Sequence, residues 1–410
     1  MRKVVVTGHG IVSPSGNDSD TLWKNISTGT SGIKKLDGPA FAESLARIGG
    51  KIDDFCPEAY LDAKETKKYD HYIQYAYAAA KQALDMANLG SEGWDAEMAG
   101  VYVGSGVGGI ETIMRNHEAF LTRGARRVSP FMVPMMISNM ASGVIAIKTG
   151  FKGANYAPVS ACATANTAIG EAFLSIRHGY ADVMLAGGSD AGIHPFLFAG
   201  FSSMKALSTN NEHPTQASRP FDRDRDGFVM SEGAAVLLLE DLEHAKRRGA
   251  TILGEVAGYG ATCDAGHITS PDFQGGARAM SIAIKQAGVA PREIGYVNAH
   301  ATGTREGDKS EAKAIRDVFS DCLDSVRVSA TKSMTGHLFG AAGGIESIIT
   351  LQALQHGLLP PTINLDNPDE ECGLNHVCNV AVPTDTTLAL SNAFGFGGHN
   401  ASLVFRKYEA

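Results

Sequence analysis

The chain contains no hydrophobic run approaching the roughly 18 residues that cross a bilayer. Its opening, MRKVVVTGHGIVSP, enters a strand-like pattern with neither an apolar signal core nor an Arg/Ser-rich leader. No membrane span is predicted, and a cytoplasmic location is expected. Cysteine is sparse. The six residues Cys56, Cys162, Cys263, Cys322, Cys372 and Cys378 are scattered over 410 positions, with no C-x-x-C pair and no zinc-ligand spacing. A disulfide scaffold and a zinc module are therefore not expected, and free thiols point to a reducing compartment. Positive charge is in deficit, with a net charge of −8, which argues against a nucleic-acid partner. Flexible linkers and low-complexity tracts are missing too, so the chain is expected to pack as one body. What remains is an ordinary globular composition, 44% hydrophobic and 20% charged, long enough to bury a large core. Glycine, with 47 residues, clusters in short groups suited to tight turns around a buried site.

Short apolar runs such as Lys3–Thr7, Gly100–Gly104 and Val183–Ala186 alternate with longer helical patterns, the signature of an α/β fold. The order of elements repeats. Lys81-Gln82-Ala83 precedes VYVGSG, and Lys285-Gln286-Ala287 precedes GYVNAH. A strand ending in Val159-Ser160-Ala161 has its counterpart in Val328-Ser329-Ala330, each followed by a loop and a helix. Each half then closes on two strands, VMLAGG and AVLLLED, then LALSNAFG and ASLVFRK. The break falls near Gly249, giving halves 1–250 and 251–410, the first with an insertion over roughly residues 106–155.

Cys162 lies where a strand gives way to a helix whose apolar stripe is Ala165, Ile169, Ala172, Phe173 and Ile176. Unpaired N–H groups at a helix start favour a thiolate and an attacked oxyanion, so the position suits a nucleophile. A buried, inert cysteine is the competing reading. His300 and His337 both sit in loops after strands, among small residues and threonines, where α/β ligand sites gather. Lys332 and Glu346 flank His337 and suit either a buried ion pair that orders the loop or a surface pair.

Three motifs point elsewhere and are set aside. Gly104–Gly109 matches G-x-G-x-x-G but lacks the following ribose-binding acid, and reads as a tight turn beside a channel. Asp222–Gly227 begins like a calcium loop, yet Gly233 stands where a bidentate Glu is needed, so a self-compensating charged turn is expected. Gly187–Ala191 falls one residue short of a serine nucleophile elbow.

VSACATA around Cys162, VNAHATGT around His300, TKSMTGHLFGAAG around His337 and FGFGGHN at the end resemble the β-ketoacyl-acyl-carrier-protein synthases of the thiolase superfamily. PPTINLDNPD and SRPFDRDRDGF add to the likeness, which spans the chain, and DAGHITSP with Ser333 points to the synthase II type. The resemblance implies a thiolase fold: duplicated βαβαβαββ halves in an αβαβα five-layer sandwich, normally a homodimer. It implies a decarboxylative Claisen condensation of acyl- and malonyl-carrier protein in fatty-acid elongation, with no cofactor or metal. Cys162 would carry the acyl group, and His300 and His337 would act on the malonyl thioester. Lys332, paired with Glu346, would order the histidine loop. Cys162 and Phe396 would supply the oxyanion hole, Phe396 also acting as a gate. Val107 and Phe201 match acyl-pocket positions, and the small Val107 implies room for medium and long chains. Met132 would reach in from a partner subunit, and Thr269, Thr302 and Thr304 would contact the pantetheine arm. Lys64, Lys67, Lys68, Arg126, Arg127 and Lys205 match positions that dock the acidic carrier protein. Ala301, Phe339 and His399 depart from common members, the last two in ways that bear on pocket shape. The His–His pair, and the lack of a second catalytic cysteine after Phe396, separate the chain from synthase III and from thiolases. A polyketide or specialised-lipid ketosynthase shares this chemistry, and a non-catalytic chain-length subunit would lack the cysteine.

Overall fold

The computed structural model describes residues 1–90 and 94–409. Nine strands form one sheet: β1 (Val4–Val12), β2 (Ala99–Gly104), β3 (Val183–Asp190), β4 (Gly233–Asp241), β5 (Gly254–Cys263), β6 (Tyr296–Asn298), β7 (Arg327–Ser329), β8 (Leu388–Gly395) and β9 (His399–Arg406). Their order is β2-β3-β4-β1-β5-β9-β8-β6-β7. The order is nearly a palindrome about the β1–β5 pairing, which joins Val4–Val6 to Gly254–Val256. On each side of it the first strand pairs antiparallel with the last, the last pairs antiparallel with the next strand out, and the outer pairs run parallel. The first half lacks one full strand: Asn155 makes only an isolated parallel bridge to Val101, where β6 pairs with all of β7. The strand expected to run into Ser160 is thus reduced to a single bridge.

Four helices define the layers: α1 (His71–Met86), α2 (Thr164–Arg177), α3 (Phe273–Ala287) and α4 (Ala342–His356). α1 covers β1 and β4 on one outer face, and α3 covers β5 and β9 on the other. α2 and α4 pack on each other between the two halves of the sheet. The result is helix, sheet, helices, sheet, helix, the five-layer thiolase arrangement. Three apolar clusters fill the gaps, and the central one draws residues from both halves, from Val4 and Phe173 to Ile345 and Phe405.

The sequence dictates how closely these layers approach. A Cβ on Gly8 or Gly10 would lie 2.1 and 2.0 Å from the carbonyl oxygens of Ala83 and Ala79 in α1. In the second half Gly258 and Gly260 stand 2.2 and 2.0 Å from those of Ala283 and Ala279 in α3. Glycine is required because the helix backbone rests directly on the strand. α4 is buried all round: every residue from Ala342 to Leu354 is buried, as a helix in a middle layer must be. It ends at Gly357, whose φ of 62° is the left-handed cap that glycine accommodates.

Candidate active site

Cys162 sits in a single 3-10 turn, Ala161–Ala163, that feeds directly into α2. Thr164 closes the turn: its Oγ1 donates to the Ala161 carbonyl at 2.7 Å and accepts from the Ser160 N–H at 3.0 Å. Ala161 is held at φ +50°, an uncommon conformation for a residue with a Cβ. The backbone N–H groups of Phe396 and Cys162 lie close enough to the sulfur to favour its anion. Gly395 permits this approach, because a Cβ there would stand 2.7 Å from the Ser160 oxygen and 3.0 Å from the Cys162 nitrogen.

His337 Nε2 lies 3.1 Å from Cys162 Sγ. A strap from β4's approach fixes it: the His337 N–H donates to the Val229 carbonyl at 2.8 Å, and the Ser231 N–H donates back to His337 at 3.0 Å. The His300 ring stands edge-to-face with that of His337, centroids 5.5 Å apart. The Lys332 ammonium, a donor only, lies 3.3 Å from His300 Nδ1. That contact makes Nδ1 the acceptor and leaves the Nε2 proton for the cavity. Lys332 is itself buried and paired with the buried Glu346, so of the two expected arrangements the buried ion pair is the one present. Behind His300, Glu311 accepts from the N–H groups of His300 and Ala301 at 2.9 and 2.7 Å and from Asn392 at 3.0 Å.

Burial dominates the electrostatics. It pushes the Cys162 thiol up to about 11, outweighing the Lys332 charge and the two N–H groups that pull it down. It holds His300 and His337 well below the usual histidine value, with Lys332 adding to the effect. Burial also raises Glu346 to about 7 against the pull of Lys332. The resting pair is therefore a neutral thiol beside a neutral imidazole. The N–H groups expected to favour a thiolate do pull the thiol down, but desolvation of the sulfur is the larger effect.

Cys162, His300 and His337 open into a cavity of about 670 Å³. Val107, Phe201, Phe339 and Phe228 form its apolar end, while Thr269, Thr302, Thr304 and Lys205 lie on its lining. Phe396 also faces it and is 39% exposed. Met132 is not on the lining. It is half-buried in a short helix beside exposed Phe131 and Val133. The basic residues divide. Lys64, Lys67, Arg126 and Arg127 are exposed away from the cavity, whereas Lys205 stands exposed at its rim. Lys68 is half-buried, its ammonium 4.3 Å over the Phe131 ring. None of the six pairs with a carboxylate among the described residues.

The motifs set aside find structural uses. Gly106 and Val107 of the G-x-G-x-x-G turn line the cavity. Ser189 is buried and donates to the Tyr72 carbonyl at 2.6 Å. The Asp222–Gly227 turn compensates its charges outside itself: Arg225, 1% exposed, faces Asp308 and Asp369 and donates to the carbonyls of Asp222, Thr304 and Arg305. Sequence reading missed Glu311, Asp308 and Asp190, buried carboxylates whose donors are mostly backbone amides. Isolated acids in helices or at strand ends carry no motif, and only the donors' positions identify them.

The family model for the β-ketoacyl synthase N-terminal domain matches residues 1–245, and that for the C-terminal domain matches residues 253–366. The chain is 45% identical to a 3-oxoacyl-[acyl-carrier-protein] synthase 2 from Synechocystis, covering 100% of this chain and 99% of that protein. It is 47% identical, with the same coverage, to one from Staphylococcus aureus. Among solved structures it is similar to the ishigamide ketosynthase/chain length factor, with TM-score 0.93, 35% identity and full coverage of both chains. It is also similar to a type II polyketide ketosynthase solved with its acyl-carrier protein, with TM-score 0.91 and 32% identity over 99% of this chain and all of that one.

Proposed function

Because the chain belongs to the β-ketoacyl synthase family, we propose that its site joins an acyl group to a malonyl-derived unit, both delivered by acyl carrier protein, with Cys162, His300 and His337 as the reacting groups. The activity is that of a synthase of the second type in fatty-acid elongation, a decarboxylative condensation giving 3-oxoacyl-carrier protein, CO2 and free carrier. The observation that carries the residue assignment is the 3.1 Å contact of Cys162 Sγ with His337 Nε2, at a sulfur faced by two free backbone N–H groups and opening on an apolar cavity.

The chemistry follows from that arrangement. In the first step the thiol proton is lost to solvent as sulfur attacks the carrier thioester, with the His337 Nε2–H donating to the sulfur. A C–S bond to Cys162 forms, the carrier thiolate leaves, and it takes a proton from solvent. The N–H groups of Cys162 and Phe396 bear the oxyanion of the tetrahedral intermediate. In the second step the malonyl thioester carbonyl sits between His300 and His337, whose Nε2 protons stabilise the enolate formed as CO2 departs. The enolate carbon attacks the acyl carbonyl, the C–S bond breaks, and the Cys162 sulfur leaves and takes a proton from solvent. Neutral imidazoles suit this second step, because they donate hydrogen bonds without needing to ionise. Lys332, held by Glu346, fixes His300 with Nδ1 as acceptor, and Thr302 and Thr304 accompany the pantetheine arm. Phe396 gates the entrance.

Lys64, Lys67, Lys68, Arg126, Arg127 and Lys205 dock the acidic carrier, and their lack of carboxylate partners among the described residues supports that reading. A homodimer is supported by the apolar residues Phe131, Val133, Ile137, Ile147, Tyr156 and Val159, all exposed in one segment beside the sheet edge at Asn155. Met132 in that segment would line the partner's site. The halves 1–250 and 251–410 are one supersecondary plan used twice, and the location is cytoplasmic. Among the described residues no helix is long and apolar enough to cross a membrane.

A polyketide ketosynthase is the second reading, carried by the two similar solved structures. The purified protein, given a saturated acyl-carrier protein and malonyl-carrier protein, is expected to release CO2 and yield the 3-oxoacyl-carrier product two carbons longer. Turnover with oxidised polyketide intermediates and none with saturated chains would favour the second reading instead.

A further inference from the structure

Asp190 ends β3 with its carboxylate fully buried. Four donors converge on it from two separate loops. Ser105 Oγ at 2.5 Å and the Val107 N–H at 2.9 Å reach one oxygen, and the N–H groups of Gly106 at 3.0 Å and Gly340 at 2.7 Å reach the other. The first loop carries Val107 and belongs to the N-terminal half. The second carries Phe339 and Gly340 and belongs to the C-terminal half. The glycines are required by the crowding, since a Cβ on Gly340 would stand 2.6 Å from the Gly106 nitrogen and 2.8 Å from Asp190.

Phe339 pays a conformational penalty here. Its φ is +50°, a region disfavoured for a residue with a Cβ and kept only where neighbours over-determine it. The next residue's N–H is the one bound by Asp190. In this conformation the Phe339 ring lies on the bare face of Gly192, where a Cβ would come within 2.4 Å of the ring. It also stacks with Phe201 at 5.5 Å, on the wall of the cavity that opens from Cys162.

We propose that Asp190 is a positioning residue that keeps the acyl channel open, by holding Phe339 in its left-handed conformation with the ring parked on Gly192. Without the carboxylate, the backbone at Phe339 relaxes and the ring swings into the lumen. An acyl chain long enough to pass Val107 and Phe339 is then obstructed, while a short one ending beside Cys162 is not. Naming the channel for acyl chains rests on the ketosynthase reading, but the obstruction itself does not.

The test therefore uses direct alkylation of Cys162 by N-methyl and N-dodecyl bromoacetamide, which form a C–S bond and release bromide and a proton without any carrier protein. The rate at Cys162 is followed by peptide mass spectrometry, for wild type, Asp190→Asn, and Asp190→Asn with Phe339→Leu. Asp190→Asn is expected to lower the dodecyl-to-methyl rate ratio about ten-fold, a difference of about 1.4 kcal/mol. The added Phe339→Leu is expected to restore the ratio, because the smaller side chain leaves the lumen clear. A ratio unchanged by Asp190→Asn, or lowered but not restored by Phe339→Leu, would overturn the proposal. If Asp190→Asn does not fold, Ser105→Ala removes one donor and decides the matter: a lowered ratio supports the clamp, and an unchanged one refutes it. Failure of acyl transfer from carrier protein in wild type would instead count against the functional reading.

Discussion

The Cys162 thiol sits between two opposed influences. Two N–H groups and the Lys332 ammonium favour its anion, and burial opposes them and prevails, pushing it up to about 11. A group raised in this way stays protonated through neutral pH. Alkylation of the free enzyme by iodoacetamide is therefore expected to rise about ten-fold per pH unit from pH 7 to pH 10. A thiol at its ordinary value of about 8.5 would level off above pH 9. Rates measured in short pulses settle the point, and a plateau near pH 7 would mean that the helix start outweighs burial. At this scale the sequence pointed to the proposed reacting groups but not to their supports. Cys162, His300 and His337 stand in long, distinctive strings of small residues. Glu311 and Asp190 are legible only once chain segments far apart in sequence, such as 190 and 340, come within 3 Å.

At the scale of elements, the repeat was visible in order rather than in letters. Gly8 faces Ala83 as Gly258 faces Ala283, so these alanines are the spatial counterparts. The shared Lys-Gln-Ala triplets at 81–83 and 285–287 are therefore one helical turn out of step. Side chains facing solvent diverge freely, whereas glycines under a helix cannot, and the glycines hold the true register. The strand expected at Val159–Ala161 was over-read because the first half keeps only its bridge at Asn155. The charged turn 222–226 shows how an element's charges depend on its neighbours. Arg225 offsets the buried Asp308, which burial raises to about 7, and ties the Thr302–Arg305 loop to the turn. Arg225→Met is expected to destabilise the protein by about 3–5 kcal/mol, since Asp308 loses its buried partner. Urea unfolding measures this, and a change under about 1 kcal/mol would show that Asp308 is neutral and indifferent to Arg225.

Across the whole molecule, the two halves repeat a plan without being separable bodies. The central layer of α2 and α4 is built from both, and residues as distant as Phe173 and Ile345 share one cluster. Each half alone would expose that apolar surface. Residues 1–250 expressed alone are expected to show no cooperative thermal transition, while the full chain unfolds in a single one. A sharp transition in the isolated half would show it to be an independent domain. The surface carries an apolar segment around Phe131–Val159 and, in Lys64, Lys67, Lys68, Arg126, Arg127 and Lys205, basic residues with no carboxylate partner among the described residues. This was the least legible level in the sequence, because exposure depends on how distant segments cover one another.

The central claim is that Cys162 carries the acyl group. Intact-protein mass spectrometry after incubation with palmitoyl-carrier protein tests it most directly, with wild type beside Cys162→Ser. The account predicts one palmitoyl adduct, mapping to Cys162, lost in the variant and discharged when malonyl-carrier protein is added. A wild-type protein that takes up no acyl group over a range of chain lengths would contradict it.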